Sequence, residues 1–363
     1  MPNICAITTC RSDYGYWKPV LEKLSVNKNF KLSIIAPKNH PNVEDIKKLG
    51  QHEPTSQIIG INDAGAFYSD CLTIFSKNKY DAVGLLGDRF EISMAAIAAT
   101  VSNITIFHLH GGETTTGAFD NELRNAITMM SKWHFTANFE FSEKVVEMIG
   151  QNKKGNVFTV GTTSLEDIQN TKLKSIDELQ NYFCVNLNKP FSIVIFNPVT
   201  RELLHARWQI GCLLQALYDW GGQVILIMPN IDPGNGIIRE SIHKMAAASL
   251  NTWQVCEYLP RDIFLSLMQH AHMMIGNSSS GIIEAPYFKL PVLNIGIRQR
   301  GRPKASNILN CGVSRDKIFE GICKLAKLSS LIKSLDIKNP YNYDNGIGLA
   351  SDMIISILEE VIC

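Results

Sequence analysis

Nine ionisable residues crowd into residues 87–124, GDRFEISMAAIAATVSNITIFHLHGGETTTGAFDNELR: Asp88, Arg89, Glu91, His108, His110, Glu113, Asp120, Glu122 and Arg124. Asp88 and Arg89 follow one apolar run (81–86), and His108 and His110 end another (103–109). If both runs are strands of a parallel sheet, these groups gather at its carboxyl edge, where ligands bind in open α/β sheets. Carboxylates in different surroundings can divide proton removal and proton donation between them. An Asp before a helix is also an N-cap, and Asp88 beside Arg89 also suits a surface pair, so the spacing alone leaves Asp88 open. Two His at i,i+2 on a strand share a face, as metal ligands do, and His270-Ala271-His272 repeats the spacing. No HxxxH or HExxH accompanies either pair, and no metal is expected. Gly111-Gly112 permits a sharp bend or a close approach to a ligand. Glu113 then points into the mouth of the site, or is a solvated residue of a tight turn.

Three further stretches suit anions. Cys10-Arg11-Ser12-Asp13-Tyr14-Gly15 reads as a polar loop after the first strand, where backbone N–H groups and the Arg11 guanidinium suit a diphosphate; alternatively Arg11 pairs with Asp13. Gly276-Asn277-Ser278-Ser279-Ser280-Gly281 has the G-x4-G spacing but continues Ile282-Ile283, so it is not a P-loop. Its hydroxyls and N–H groups at a helix start form a phosphate cradle, and Glu284 one turn on can accept both hydroxyls of a ribose. The structural alternative is an N-cap with small-residue packing. Arg298-Gln299-Arg300-Gly301-Arg302-Pro303-Lys304 is an anion clamp or a solvated loop. GxGxxG and GxSxG are both absent, so neither a dinucleotide fingerprint nor acyl transfer has support.

The elements that must position these groups alternate along the chain. Strands are expected at 3–9, 31–36, 81–86, 103–109, 133–137 and 156–160, with helices at 17–24, 43–49, 64–76, 90–101, 120–130 and 142–149. Residues 161–189 are polar and weakly periodic, which marks a junction. Strands then recur at 191–196, 223–228, 253–256, 272–275 and 291–294, with helices at 202–220, 236–247, 261–270, 281–288, 316–328 and 347–362. Such alternation implies parallel sheets covered on both faces. The expected architecture is α/β, two Rossmann-like doubly wound domains facing a cleft: 1–170, 185–345, and a last helix at 346–363 packing back on the first domain.

Composition narrows the class. A chain of 363 residues with 45% hydrophobic and 19% charged residues is globular and long enough for two cores. A net charge of +1 offers no field for nucleic acid or an anionic membrane. Nine Cys without CxxC spacing point to a reducing, cytoplasmic setting rather than disulfides. No apolar run is long enough to span a bilayer.

Taken together, RSDYG, GDRFE, HLHGGETTTGAFDNELRNAIT, FNPVT, MPNID, GNSSSGIIEAPYFKLPVLNIGIRQRGR and NPYNYDNGIG resemble the hydrolysing UDP-N-acetylglucosamine 2-epimerases of sialic acid biosynthesis. They are similar also to the relatives acting on UDP-N,N′-diacetylbacillosamine in legionaminic acid biosynthesis. The resemblance runs in order from residue 11 to about 348. It implies a glycosyltransferase-B-like fold, anti elimination of UDP to a glycal, then hydration to the free 2-epimerised sugar, with no cofactor. By position it implies catalytic roles for Asp88 and Asp120. It implies UDP-side contacts for Arg11, Arg89, Asn197, Asn230, Ser278, Ser279 and Arg298, and a ribose contact for Glu284. Members acting on UDP-N-acetylglucosamine have Glu at the position of His110. HxHGGE and the longer TTTGAFD loop resemble the diacetylbacillosamine branch, so Glu113 or His110 takes that role. Arg-His is expected at Arg124-Asn125, and His-Pro-Val-Thr at Asn197-Pro198. The expected function is thus hydrolytic 2-epimerisation of a UDP-sugar by a homodimer or homotetramer. The alternatives are a glycosyltransferase of the same fold, a non-hydrolysing epimerase and a binding protein without turnover.

Overall fold

A computed structural model describes residues 1–58, 61–117, 119–230, 232–247, 252–342 and 349–363, the side chains of Arg11, Ser12 and Ile61 excepted. The chain divides into two compact units: Met1–Glu113, Asp120–Gln169 and Tyr341–Cys363 form the first, and Thr114–Phe119 with Asn170–Pro340 the second.

The first unit runs β1 (Asn3–Ile7), α1 (Arg11–Val26), β2 (Lys31–Pro37), α2 (Val43–Leu49), β3 (Gln51–Thr55), α3 (Ala64–Lys77), β4 (Ala82–Leu86), α4 (Phe90–Val101), β5 (Thr105–Leu109), α5 (Asp120–Met130), β6 (Trp133–Thr136), α6 (Phe139–Ile149), β7 (Val157–Thr159) and α7 (Thr163–Asn170). Its parallel sheet has the order β3-β2-β1-β4-β5-β6-β7. The apolar strands are buried on both faces. One face packs on Trp17, Val20 and Leu21 of α1, the other on Phe67, Ile92 and Ala96 of α3 and α4. The strand order reverses between β1 and β4, so the crevice expected of a doubly wound sheet opens at the residues following those two strands.

The second unit begins with α8 (Ile176–Phe183), set by a capping box between Ser175 and Glu178. It continues β8 (Phe191–Ile195), α9 (Ala206–Trp220), β9 (Gln223–Ile227), α10 (Asn235–Ala246), β10 (Trp253–Cys256), α11 (Arg261–His270), β11 (Met273–Gly276), α12 (Ser280–Ile283), β12 (Val292–Ile295), β13 (Ile308–Cys311) and α13 (Arg315–Ser334). Its parallel sheet has the order β10-β9-β8-β11-β12-β13, reversing between β8 and β11.

The final helix, α14 (Ala350–Ile362), lays Ile354, Ile355 and Leu358 into the first unit's core. The buried carboxylate of Glu166 accepts the Ser351 N–H at 3.1 Å and the Ser351 hydroxyl at 2.6 Å, so the start of α14 is capped by a residue far away in sequence. Among the described residues no helix is long and apolar enough to cross a membrane.

Four expectations change. The loop read at 10–15 is the first turns of α1, which starts at Arg11. Strands β3 and β13 were not expected. Residues 161–189, in which no element was expected, hold two helices, and the division between the units falls at Gln169 and Asn170, the end of the first of them. The helix expected at 281–288 is a four-residue α12 followed by a 3-10 turn, Ala285–Phe288.

Candidate active site

Each sheet carries a polar cluster at its switch point. In the first unit Asp88 follows β4, but it does not cap α4: the residue at the N-cap is Arg89, without a side-chain cap bond. The Asp88 carboxylate instead forms an ion pair with Arg124, which projects from the buried side of α5 and is 1% exposed. Arg124 also donates from Nη1 to the Glu113 carbonyl oxygen at 2.6 Å. One guanidinium thus ties the tip of β4 to the turn after β5. Arg89 is held by Glu91, its Nη2 3.0 Å from Oε1 and its Nε 3.2 Å from Oε2. Burial pushes the Glu91 carboxyl up despite that partner.

The two histidines of HLH do not act as a facing pair. His108 is the penultimate residue of β5 and is fully buried, with Nε2 2.8 Å from the Gly87 carbonyl oxygen and Nδ1 3.1 Å from Thr128 Oγ1. A neutral ring satisfies both, donating from Nε2 and accepting at Nδ1. Burial lowers its pKa to about 3. His110 lies beyond the strand at φ 66°, in the left-handed region that few side chains adopt, so the strand's alternation is broken before it. Its Nδ1 is 2.7 Å from Glu113 Oε1, its Nε2 3.4 Å from Thr162 Oγ1, and its ring meets Tyr16 edge-on. Glu113 is 3% exposed, so it is not a solvated turn residue. Gly112, at φ 79°, allows the bend: a Cβ there would overlap the Phe141 carbonyl oxygen. Among the described residues no group of three or more His, Cys, Asp or Glu is placed to hold a metal ion. Asp120 opens α5, one turn before Arg124 on the same helix. The backbone of Arg11 begins α1 at the switch point, but its side chain lies outside the described residues, as does most of NPYNYDNGIG.

His108 makes acid a specific threat to this unit. Its folded pKa is depressed below the ordinary 6.5, so between that value and about 3 the unfolded chain binds a proton that the folded one does not. Stability is therefore full above pH 6.5 and falls as pH drops, by about 2 kcal/mol at pH 5. The unfolding midpoint in urea is expected to fall more steeply from pH 7 to 5 in the parent than in His108→Asn. Equal slopes would show that His108 takes up its proton without penalty.

In the second unit, an amide network joins the strand ends. Asn277, after β11, accepts the Asn197 N–H at 2.7 Å and donates from its own amide to the Asn197 carbonyl at 2.8 Å. Asn197 in turn accepts the Asn230 N–H at 3.0 Å. Asn197 is 2% exposed, so its carboxamide oxygen is committed to the backbone rather than offered to a ligand. Gln299 and Arg298 both donate to the Asn277 carbonyl, at 2.9 and 3.3 Å, and Arg298 lies 3.6 Å from Asp232. The basic stretch is thus anchored, not a solvated loop. Ser278 and Ser279 follow Asn277 half-buried, and their N–H groups make no hydrogen bond among the described residues. Because α12 is one turn long, those N–H groups rather than a helix dipole would receive an anion. Glu284 is buried and engaged by Arg261 at 2.7 Å.

A model of the family UDP-N-acetylglucosamine 2-epimerase matches residues 60–359. The chain belongs to the UDP-N-acetylglucosamine 2-epimerase family. Legionella pneumophila UDP-N,N′-diacetylbacillosamine 2-epimerase (hydrolyzing) is 32% identical over 340 residues, 88% of each chain. Escherichia coli polysialic acid biosynthesis protein P7 is 30% identical over 96% of this chain and 92% of its own. The structure of Neisseria meningitidis UDP-GlcNAc 2-epimerase bound to UDP-GlcNAc shares the fold, with a TM-score of 0.82 at 18% identity, covering 99% of this chain and 100% of that one.

Within this epimerase-family chain the residues missed by sequence reasoning are the ones that hold the others. Arg124, Asn277 and Gln299 lie in the stretches singled out but were assigned no role of their own, and Arg261 and Thr162 were not singled out. Arg124 had a signal: with Ile127 and Thr128 it lies on the buried stripe of α5. A charge at such a position needs a partner.

Proposed function

We propose that the protein is a hydrolysing 2-epimerase whose substrate is UDP-N,N′-diacetylbacillosamine, with UDP-N-acetylglucosamine as the second reading. The observation that carries the acid–base part is the placement of two ionisable pairs, Asp88–Arg124 and His110–Glu113, at the ends of adjacent strands β4 and β5. The substrate reading rests on HxHGGE and on the name of the Legionella relative.

Removing the C2 proton while the C1–O bond breaks expels UDP, and the C–H electron pair becomes the C1=C2 double bond of a glycal. Water then adds, its hydroxyl to C1 and a proton to C2 from the opposite face. The sum is UDP-sugar plus water giving UDP plus the 2-epimerised sugar. An ionised Asp88 is suited to take the C2 proton. His110 with Glu113, and Asp120, are the groups able to handle the proton in the second half. On the nucleotide side, Ser278, Ser279 and Arg298 suit the diphosphate, with Arg11 and Arg89 as further candidates. Asn230 and Glu284 are read as uridine-side contacts, and Asn197 as a support for Asn230. Glu284 keeps one carboxylate oxygen beyond its Arg261 partner for a ribose hydroxyl. The same reading places the enzyme in the cytoplasm as a homo-oligomer, supplying sugars for nonulosonic acid synthesis.

The test is to incubate the protein with each UDP-sugar in heavy water and follow UDP release and deuterium at C2 of the product. UDP release with one deuterium at C2 is expected, faster with the diacetamido sugar. Release only when an acceptor is supplied would instead indicate a glycosyltransferase, and no release from either sugar would reject hydrolysis.

A further inference from the structure

The buried Arg124 has no place in an inventory of groups that reach a substrate, yet it ties two elements of the first unit's site together. Its guanidinium pairs with Asp88 on one side and donates to the Glu113 carbonyl on the other. It is 1% exposed, and its carboxylate partner's side chain is 22% exposed. Asp88 therefore reaches the outside of the protein and Arg124 does not. Glu113 carries the carboxylate that holds His110. The two acid–base pairs meet at one buried side chain.

Resting on the hydrolytic reading above, we propose that Arg124 is a positioning residue that assigns the two halves of the reaction. It holds Asp88 as a carboxylate aimed by an ion pair and, through the Glu113 backbone, fixes the turn that presents His110. A guanidinium in contact favours the charged form of a carboxylic acid, so Asp88 is kept as a proton acceptor. Two of the Arg124 donor directions are fixed by different elements, and lysine has no planar fork to satisfy both.

The other charged and titratable groups on the neighbouring elements have partners or environments of their own. On α4, Arg89 is engaged by Glu91. On β5, His108 is held neutral by burial, with a pKa of about 3. His134 on β6 is likewise lowered, to about 4, by burial. In the turn after β5, Glu113 faces His110. From α1, Asp13 accepts from the Thr9 N–H and hydroxyl and from the Cys10 thiol. Asp120 and Glu122 occupy the first turn of α5 itself.

The experiment combines titration and turnover. Protein carrying 13C-labelled aspartate is titrated by NMR, with Asp88→Asn used to assign the signal. In the parent, Asp88 is expected to remain ionised at pH 4, where an unpaired Asp is about half protonated. In Arg124→Gln the transition is expected to move up by one to three pH units, and the acid limb of kcat/KM to move with it. The same variant is expected to lose about 100-fold in kcat at neutral pH while its affinity for UDP changes less than twofold. Arg124→Lys is expected to restore the position of the limb but only part of kcat. The proposal is overturned if Asp88 in the parent is half protonated at pH 4 or above, if the limb of Arg124→Gln stays where the parent's lies, or if Arg124→Lys restores nothing. The first of these readings needs no turnover and no Arg124 variant. If the parent releases no UDP from any UDP-sugar, the hydrolytic reading falls, while the titration still reports on the pair.

Discussion

Asp88→Asn is expected to lower kcat for UDP release by about 1,000-fold, in the middle of the range for loss of a general base. The substitution keeps the size and one hydrogen-bonding oxygen toward Arg124 but removes the charge that accepts the proton. It corresponds to about 4 kcal/mol of transition-state stabilisation. A second consequence is structural. Arg124 is 1% exposed and its ion pair with Asp88 becomes a charge–amide contact, and breaking a buried pair costs up to about 3–5 kcal/mol. The variant is therefore expected to unfold at lower urea concentration while still binding UDP, because the groups assigned to the diphosphate, Ser278, Ser279 and Arg298, belong to the second unit. Calorimetric titration with UDP separates the two effects. A rate within threefold of the parent in folded protein would remove Asp88 from the chemistry.

The fold was legible where strands are buried on both faces. The runs that became β1, β4, β8 and β11 are continuous apolar stretches, and each lies at the centre of its sheet. Both strands that were not expected, β3 and β13, are edge strands. QHEPT contributes one buried residue, Thr55, and carries a Pro, which an edge tolerates because one side of its ladder is unpaired. ILNC has no fully buried residue. Neither has the pattern by which a buried strand is recognised, because neither is buried like one. Residues 10–15 hid a helix start for a related reason. Gly15 and the polar Arg11, Ser12 and Asp13 read as a turn, whereas burial of Tyr14 and Trp17 supplies the apolar face that carries α1 back to the strand's end.

The site was legible as a set of positions and not as a set of pairs. Sequence order places Asp88, His110 and Glu113 after strands, and parallel topology brings β4 beside β5. Which residue holds which depends on dihedrals that no spacing reveals. The HLH motif predicts a shared face, but the chain leaves the strand at His110 with φ 66°, so His108 goes to Gly87 and Thr128 while His110 goes to Glu113. The FNP and GNSSSG motifs likewise read as two ligand loops. In the structure the Asn277 carboxamide binds the Asn197 backbone at both N–H and carbonyl, and the Asn197 carboxamide oxygen accepts the Asn230 N–H, so both amides are spent on backbone groups. Amides at such positions fix loops as readily as they contact ligands, and composition does not distinguish the two.

Gly276→Ala is expected to be the most damaging single-methyl change in the second unit. Gly276 ends β11 opposite Ile195 of β8, and the next residue, Asn277, donates its N–H to the Ile195 carbonyl at 3.1 Å. That bond pulls the carbonyl oxygen against the face where a side chain would stand. A Cβ at Gly276 would overlap the oxygen and lie 2.7 Å from the Ile195 carbonyl carbon, at a φ of 138° that L-residues rarely adopt. Both atoms are backbone of a central strand pair, so neither can give way without breaking the ladder at the point from which Asn197, Asn277 and Ser278 emerge. The expected loss is about 4 kcal/mol or more, in the class of substitutions where strain and a broken buried network combine. UDP affinity is expected to fall by at least 100-fold in whatever protein remains folded, since the N–H groups of Ser278 and Ser279 move with the turn. The opposing result is a Gly276→Ala variant with the parent's urea midpoint and UDP affinity. It would mean that the β8–β11 junction relaxes freely, and that the anion cradle does not depend on the crossing of these two strands.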